Sequence, residues 1–166
     1  MSTKRSALGE YAPYFAMLVS WVAMGGSLYF SEVMRWPPCT LCWWQRGFMY
    51  PLTLILPACI LLRWRNMHRL ILPMVIIGGC ISAYHYAEIM LPGIIPPAPC
   101  APDSPPCTLD LLRAYTRIDW LAIPLLALIA FVLIGISMTI FARAHAWQPI
   151  DDGDDADMAE LAHVQR

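Results

Sequence analysis

Charged side chains are what this sequence has least of. Asp, Glu, Lys and Arg together make up 14% of the 166 residues, against 58% apolar ones. With a mean hydropathy of +0.53, that scarcity excludes an ordinary water-soluble domain, in which about a quarter of the residues are charged. A membrane protein is the class that remains. From Tyr11 to Phe30 there is no Asp, Glu, Lys or Arg at all, and about 20 helical residues rising ~1.5 Å each cross ~30 Å of hydrocarbon. A small-residue cleavage site is also missing there, and the run is too long for the h-region of a signal peptide. Despite Lys4 and Arg5 ahead of it, the segment is therefore expected to stay as an anchor. An excess of either charge is lacking too. The net charge is -1, although five aspartates crowd between Asp151 and Asp157. The net charge therefore says nothing about nucleic acid, and no nucleic-acid partner is assigned.

What is present is a series of apolar runs. Besides positions 11–30, they cover about 41–62, 70–91 and 120–141, which predicts an all-α membrane protein built as a four-transmembrane-helix bundle over residues 1–145. Pro51 and Pro57 predict kinks in the second span. Gly25, Gly26 and Ser27 permit close helix approach in the first. The tail 146–166 is acidic, poor in large apolar residues, and expected to be disordered on the cytoplasmic side.

Basic residues orient the bundle. Lys4, Arg5, Arg63, Arg65, Arg69, Arg143 and Arg166 fall on one side, and Arg35, Arg46, Arg113 and Arg117 on the other. Seven against four puts both termini in the cytoplasm, with two extracytoplasmic loops. The second loop, 92–119, is rich in proline through Pro106. Positions 108–117 then predict a short interfacial helix, with Leu109, Leu112 and Tyr115 on one side.

Four of the six cysteines lie in these outward loops, Cys39 with Cys42 and Cys100 with Cys107, on the side where disulfides persist. A bridge from Cys39 to Cys42 closes a trivial loop and so stabilises little. Thiol exchange is the better use of the pair, because a helix N-terminus with Arg46 one turn on favours a thiolate. Cys100 and Cys107 fit either exchange or a static clamp on the proline-rich loop. Four thiols also suit zinc, but CAPDSPPC is no second close pair, and no metal is assigned. Cys59 and Cys80, inside spans, read as small hydrophobes.

Arg46, placed within a span, suits a thiolate or the negative charge that grows on a quinone oxygen during reduction. His85, at similar depth in the third span, can supply a proton or hydrogen bond, or it can be an ordinary satisfied core histidine. Trp43 and Trp44 fit an aromatic belt at the interface and also fit the wall of a quinone site.

The elements Tyr29-Phe30-Ser31-Glu32, Pro38-Cys39-Thr40-Leu41-Cys42-Trp43-Trp44-Gln45-Arg46, Tyr84-His85, Pro106-Cys107-Thr108 and Ile123-Pro124 resemble the disulfide bond formation protein B (DsbB) family. They are most similar to its short-loop branch, often called BdbC. The likeness covers about positions 12–142. Two features depart from the long-loop branch: only six residues separate Cys100 from Cys107, and Gln45 stands where an acidic residue is frequent.

The resemblance implies a quinone-dependent protein-disulfide oxidoreductase in the bacterial inner membrane. A reduced thioredoxin-fold oxidase of the DsbA kind would attack the Cys100–Cys107 bridge at Cys100, and Cys107 would then exchange with Cys39. Cys42 would face a quinone from the membrane pool, ubiquinone or menaquinone, beside Arg46 and His85. The DsbA, DsbB and quinone chain is itself the known instance of such coupling. An oxidase near about -120 mV can be reoxidised only by a stronger acceptor, since ~30 mV corresponds to ~1.4 kcal/mol for two electrons. Quinone meets that requirement and glutathione does not. A vitamin K epoxide reductase-like enzyme is the nearest alternative, although it places its CxxC late in the chain. A non-enzymatic membrane scaffold with structural or zinc-binding cysteines is the other.

Overall fold

A backbone in lipid has to satisfy its own polar groups, and for a single apolar run the α-helix is the way to do so. The computed structural model describes residues 7–64, 66–96, 98, 105–107, 111–116, 118 and 120–146. The helices in order are α1 (Ala7–Leu28), α2 (Thr40–Leu61), α3 (His68–Met90), α4 (Leu111–Thr116) and α5 (Ile123–Ala146), with no strand among the described residues. Three segments are long and apolar enough to cross a membrane: Gly9–Val33, His68–Met90 and Ile123–Ala144. The helix expected to be the second span has the length, 22 residues. Gln45 and Arg46 near its start dilute its hydropathy, and it is not among the three.

The long helices close into a ring. α1 packs on α2 and α5, and α3 packs on the same two. The core holds Leu52 and Leu56 from α2, Ile71 from α3, and Phe131, Ile134 and Met138 from α5, all essentially buried. The fourth long helix begins three residues after the expected Trp120, with Pro124 in its first turn, where a missing N–H costs little. α4 is the described part of the helix expected at 108–117. Of the tail expected at 146–166, Ala146 ends α5 and positions 147–166 lie outside the described residues.

Inside the ring, polar groups are satisfied at short range. Ser20, Ser82 and Ser137 donate back to Met17, Gly78 and Leu133 carbonyls on their own helices. Pro57 removes the N–H that the Thr53 carbonyl would accept in a regular helix. Trp21 Nε1 of α1 donates to that carbonyl instead, at 3.0 Å. α2 thus stays one helix through Pro51 and Pro57. Beyond it, Arg63 (φ 49°) turns the chain, with Arg63 N donating to Ile60 O and Trp64 N to Cys59 O, a Schellman cap with arginine at the left-handed position.

The approach of α3 to α5 depends on one glycine. A Cβ built at Gly78 falls on the ring of Phe131, so the two helices meet where α3 has no side chain. Adding a methyl there overpacks a filled core, at a cost of about 1–3 kcal/mol. Gly78→Ala is therefore expected to lower the melting temperature in detergent, and Phe131→Leu in the double variant to recover part of the loss. An unchanged melting temperature for Gly78→Ala contradicts this packing.

Candidate active site

The loop between α1 and α2 sets the site. α1 runs on into a π-helical turn, Tyr29–Val33, of the kind that often marks functional positions. Arg35 takes a left-handed backbone (φ 55°), Trp36 N donates back to Phe30 O at 3.0 Å, and the Trp36 ring stacks on Phe30 with centroids 5.4 Å apart. Pro37 and Pro38 then lead into Cys39, the N-cap of α2. Helices usually use a side-chain oxygen for this purpose. Here the Cys39 sulfur accepts from Cys42 N at 3.4 Å, and the same geometry holds the two sulfurs 3.1 Å apart.

The two thiols are not equivalent. Cys39 is buried, whereas Cys42 is half-buried. Cys39 donates toward Cys42 Sγ, and that hydrogen bond, followed by burial, pushes its pKa up to about 12, against an opposing effect of His85. The expectation that the helix N-terminus favours a thiolate thus fails for Cys39. A proton shared with its neighbour and the loss of water outweigh the helix dipole there.

His85, buried on α3, joins the loop before α2 to the loop after α3. Gln45 Nε2 lies 3.1 Å from its Nδ1 and donates to it. That assignment leaves the ring proton on Nε2, which donates to the Cys107 carbonyl at 3.0 Å and faces Cys39 Sγ at 3.7 Å. Cys107 is itself buried and close enough to Cys42 for their charges to interact. Cys39, Cys42, His85 and Cys107 therefore converge. Cys100 lies outside the described residues.

Below the thiols is a cavity of about 470 Å³, within the range of small-molecule sites. Its walls come from α1, the first loop, α2 and α5 and are mostly apolar, including Val22, Phe30, Trp36 and Ala130. Cys39, Cys42, Gln45, Arg46 and His85 supply polar groups on one side. One Arg46 nitrogen donates to Ser27 O at 3.0 Å, which anchors the guanidinium at the wall. Its other donors are the cation that the sequence pattern called for. A flat, largely apolar ring with carbonyl oxygens fits this lining.

Trp43 and Trp44 are not in that wall. Both are exposed, and Trp43 lies under the Arg46 guanidinium at 5.6 Å. The cavity face of α2 carries positions 42, 45, 46 and 49, and residues 43 and 44 point away from it by helical geometry. The aromatic lining is Phe30, Trp36, Tyr50 and Phe131 instead. Cys59 is buried in the core, as a small hydrophobe is expected to be, while Cys80 is exposed on α3 and not buried.

Two site residues were missed in the sequence, Gln45 and Glu88. Each is a polar residue in an apolar run, one helical turn from a recognised site residue, and that spacing was the available signal. Cys39, Cys42 and His85 offer three ligand atoms within 4.8 Å of one another. A metal needs the imidazole lone pair, yet Nδ1 accepts from Gln45 and Nε2 donates to a carbonyl. The arrangement suits thiol exchange better than coordination.

At pH 8 a thiol titrating near 12 is ionised in roughly one molecule in 10,000, and the thiolate is the nucleophile. In the reduced protein, limiting iodoacetamide at pH 8 is expected to modify Cys42 at least about 10-fold faster than Cys39. Peptide mass mapping reads both rates, and equal rates contradict the asymmetry.

Comparison with known proteins agrees with this geometry. The family model for disulfide bond formation protein DsbB matches residues 10–116. Disulfide bond formation protein C of Bacillus subtilis is 42% identical over 76% of this chain and 89% of its own length. A Bacillus cereus protein named "Probable disulfide formation protein C 1" is 41% identical over 81% of the chain and 94% of its own length. A Coxiella burnetii protein named "Probable disulfide formation protein" is 41% identical over 61% of the chain and 69% of its own length. No solved structure matches. With three helices able to cross a membrane and this extent of similarity, the chain is a multi-pass membrane protein and belongs to the DsbB family.

Proposed function

We propose that this membrane disulfide oxidoreductase reoxidises an extracytoplasmic thioredoxin-fold thiol oxidase of the DsbA kind and passes the electrons to membrane quinone. The observation that carries the reading is the meeting of Cys107 with Cys39 and Cys42 at His85, directly over a cavity edged by Arg46. In this reading the reduced partner attacks the Cys100–Cys107 bridge at Cys100, and Cys107 then attacks Cys39. The partner's second thiol then releases Cys100, and Cys100 attacks Cys107 to displace Cys39. Each exchange breaks one S–S bond and forms another, so no electrons leave the thiols until Cys39 and Cys42 are reoxidised. Quinone, ubiquinone or menaquinone, supplies an acceptor for two electrons and two protons when bound.

The chain's own residues do the rest. Cys39 and Cys42 lose two electrons and two protons as their bridge re-forms. His85 Nε2–H stands beside Cys39 to donate a hydrogen bond to the sulfur as its thiol gives up a proton, and Gln45 holds the ring in that tautomer. Arg46, tethered through Ser27, stabilises negative charge at the cavity edge. Phe30 and Trp36 close the apolar side and exclude water. α2 is taken as the fourth span, because its polar residues face this cavity and its neighbours rather than lipid. Both termini are placed in the cytoplasm and both cysteine loops outside, in the inner membrane of a bacterium.

Purified protein mixed with reduced thioredoxin-fold oxidase and a soluble quinone is expected to consume quinone. Cys42→Ser is expected to retain less than about 1% of the rate, and Arg46→Ala to raise KM for quinone about 10-fold with KM for the partner unchanged. A Cys107→Ser variant given the oxidised partner is expected to trap it as a mixed disulfide, as the Cys100 thiol attacks the partner's bridge. No quinone consumption by the unaltered protein, or full activity in Cys42→Ser, overturns the relay. For orientation, alkaline phosphatase fused after Ala146 is expected to be inactive in cells and active when fused after Pro96; the reverse pattern inverts the topology.

A further inference from the structure

Glu88 is the buried ionisable group that the relay leaves without a task. It lies one helical turn beyond His85 on α3, and only 2% of its surface is exposed. An acidic side chain so deep in an apolar bundle is costly unless something holds it. Oε1 accepts from Ala98 N at 3.1 Å, whereas Oε2 is buried with no hydrogen-bond partner among the described residues. The recorded contact of this carboxyl is thus to the second outward loop and not to the helices around it.

That contact has a counterpart. His85 Nε2 donates to Cys107 O at 3.0 Å, and Tyr84 OH donates to Pro96 O at 2.8 Å. Three side chains on the last turns of α3, at positions 84, 85 and 88, therefore hold the backbone of the second loop at Pro96, Ala98 and Cys107. Cys107 rests against the first-loop pair with its loop fastened ahead of it at Pro96 and Ala98 and at its own carbonyl. Of the three, Tyr84 is partly exposed and works from the rim. Glu88 works from inside, where a hydrogen bond to a carboxyl has little competition from water.

We infer that Glu88 is a positioning residue: its carboxyl clamps the second loop to α3 at Ala98, and with His85 at Cys107 keeps the Cys107 sulfur within reach of the Cys39–Cys42 pair. The inference rests on the proposed relay for its purpose, but the clamp itself is a statement about structure. Glu88 transfers no proton or electron in this account. Its effect belongs to the step in which the loop pair exchanges with the first-loop pair, and it has no part in the step between Cys42 and the acceptor.

The two steps can be driven separately. A thioredoxin-fold partner enters through the loop pair, whereas dithiothreitol, a small dithiol, reduces the Cys39–Cys42 bridge directly and becomes a cyclic disulfide. In the full-length protein in detergent, Glu88→Ala is expected to slow partner-driven reduction of a soluble quinone about 10-fold, and to change dithiothreitol-driven reduction less than about twofold. In the reduced protein, iodoacetamide is expected to modify Cys107 about 10-fold faster in Glu88→Ala than in the unaltered chain. Glu88→Gln keeps an acceptor oxygen for Ala98 N and is expected to restore both readouts. If Glu88→Ala does not fold, Glu88→Asp, one methylene too short to reach, takes its place with the same expectations. Equal losses with both donors, unchanged labelling of Cys107, or a Gln variant as impaired as Ala each overturn the clamp. If the unaltered protein reduces quinone with neither donor, the relay fails, and the labelling of Cys107 still decides the role of Glu88.

Discussion

His85 has one ring proton and one ring lone pair, and the outer end of the bundle is arranged around where each of them goes. The lone pair accepts from Gln45 on α2, and the proton points at the Cys107 carbonyl with Cys39 Sγ beside it. A side chain on α3 thereby ties together a second helix, the loop before α2 and the loop after α3. In water such bonds would exchange with solvent at small net gain. In a buried, apolar setting each unmade bond costs the full desolvation of the group, so the three partners hold one geometry. The two cysteine-bearing segments meet because the imidazole leaves them no equally good alternative.

The helices earlier in the chain matter here mainly for putting His85 at that depth. Gly78, two turns before it, lets α3 lie against the Phe131 ring of α5. Trp21 of α1 supplies the donor that Pro57 withholds from Thr53, which binds α1 to α2 at mid-depth and keeps α2 continuous below the cysteines. At the top, the π-helical turn and the left-handed Arg35 bring Trp36 over Phe30, and that stacked pair walls the cavity opposite Arg46. The Cys39 sulfur, serving as N-cap, converts the start of α2 into the place where two thiols must lie close. Its raised pKa follows from the same contact, so the thiol that caps the helix is also the one that gives up its proton least readily.

Much of the site was legible in the sequence because it is local. Cys39, Cys42 and Arg46 follow one another on a single helix, and a 3.6-residue period says which of them share a face. The same period places Trp43 and Trp44 away from that face, yet aromatic character drew them toward the cavity; Phe30 and Trp36 hold that role through a loop conformation that no periodicity describes. Gln45 was visible as a departure from a family pattern but not as the partner of His85, since 40 positions separate them. Glu88 was visible as a charge near the end of an apolar run, without any sign of what it holds.

The sequence by itself determined the class of protein, the order of its long apolar helices, and the spacing that sets Cys39 and Cys42 one turn apart. Those properties rest on scarcity of charge, run length and spacing, which are additive along the chain. Only the tertiary structure decided that α2, with its diluted hydropathy, turns its polar face inward. It alone decided that His85 lies between Cys107 and the Cys39–Cys42 pair as well as beside the cavity, and that Cys39 is the more buried thiol of the two. Each of these depends on a contact between residues far apart in the chain, and burial gives such contacts their energy. A pattern of residue types carries the cost of burying a group, but the partner that offsets the cost appears only when the helices have closed around it.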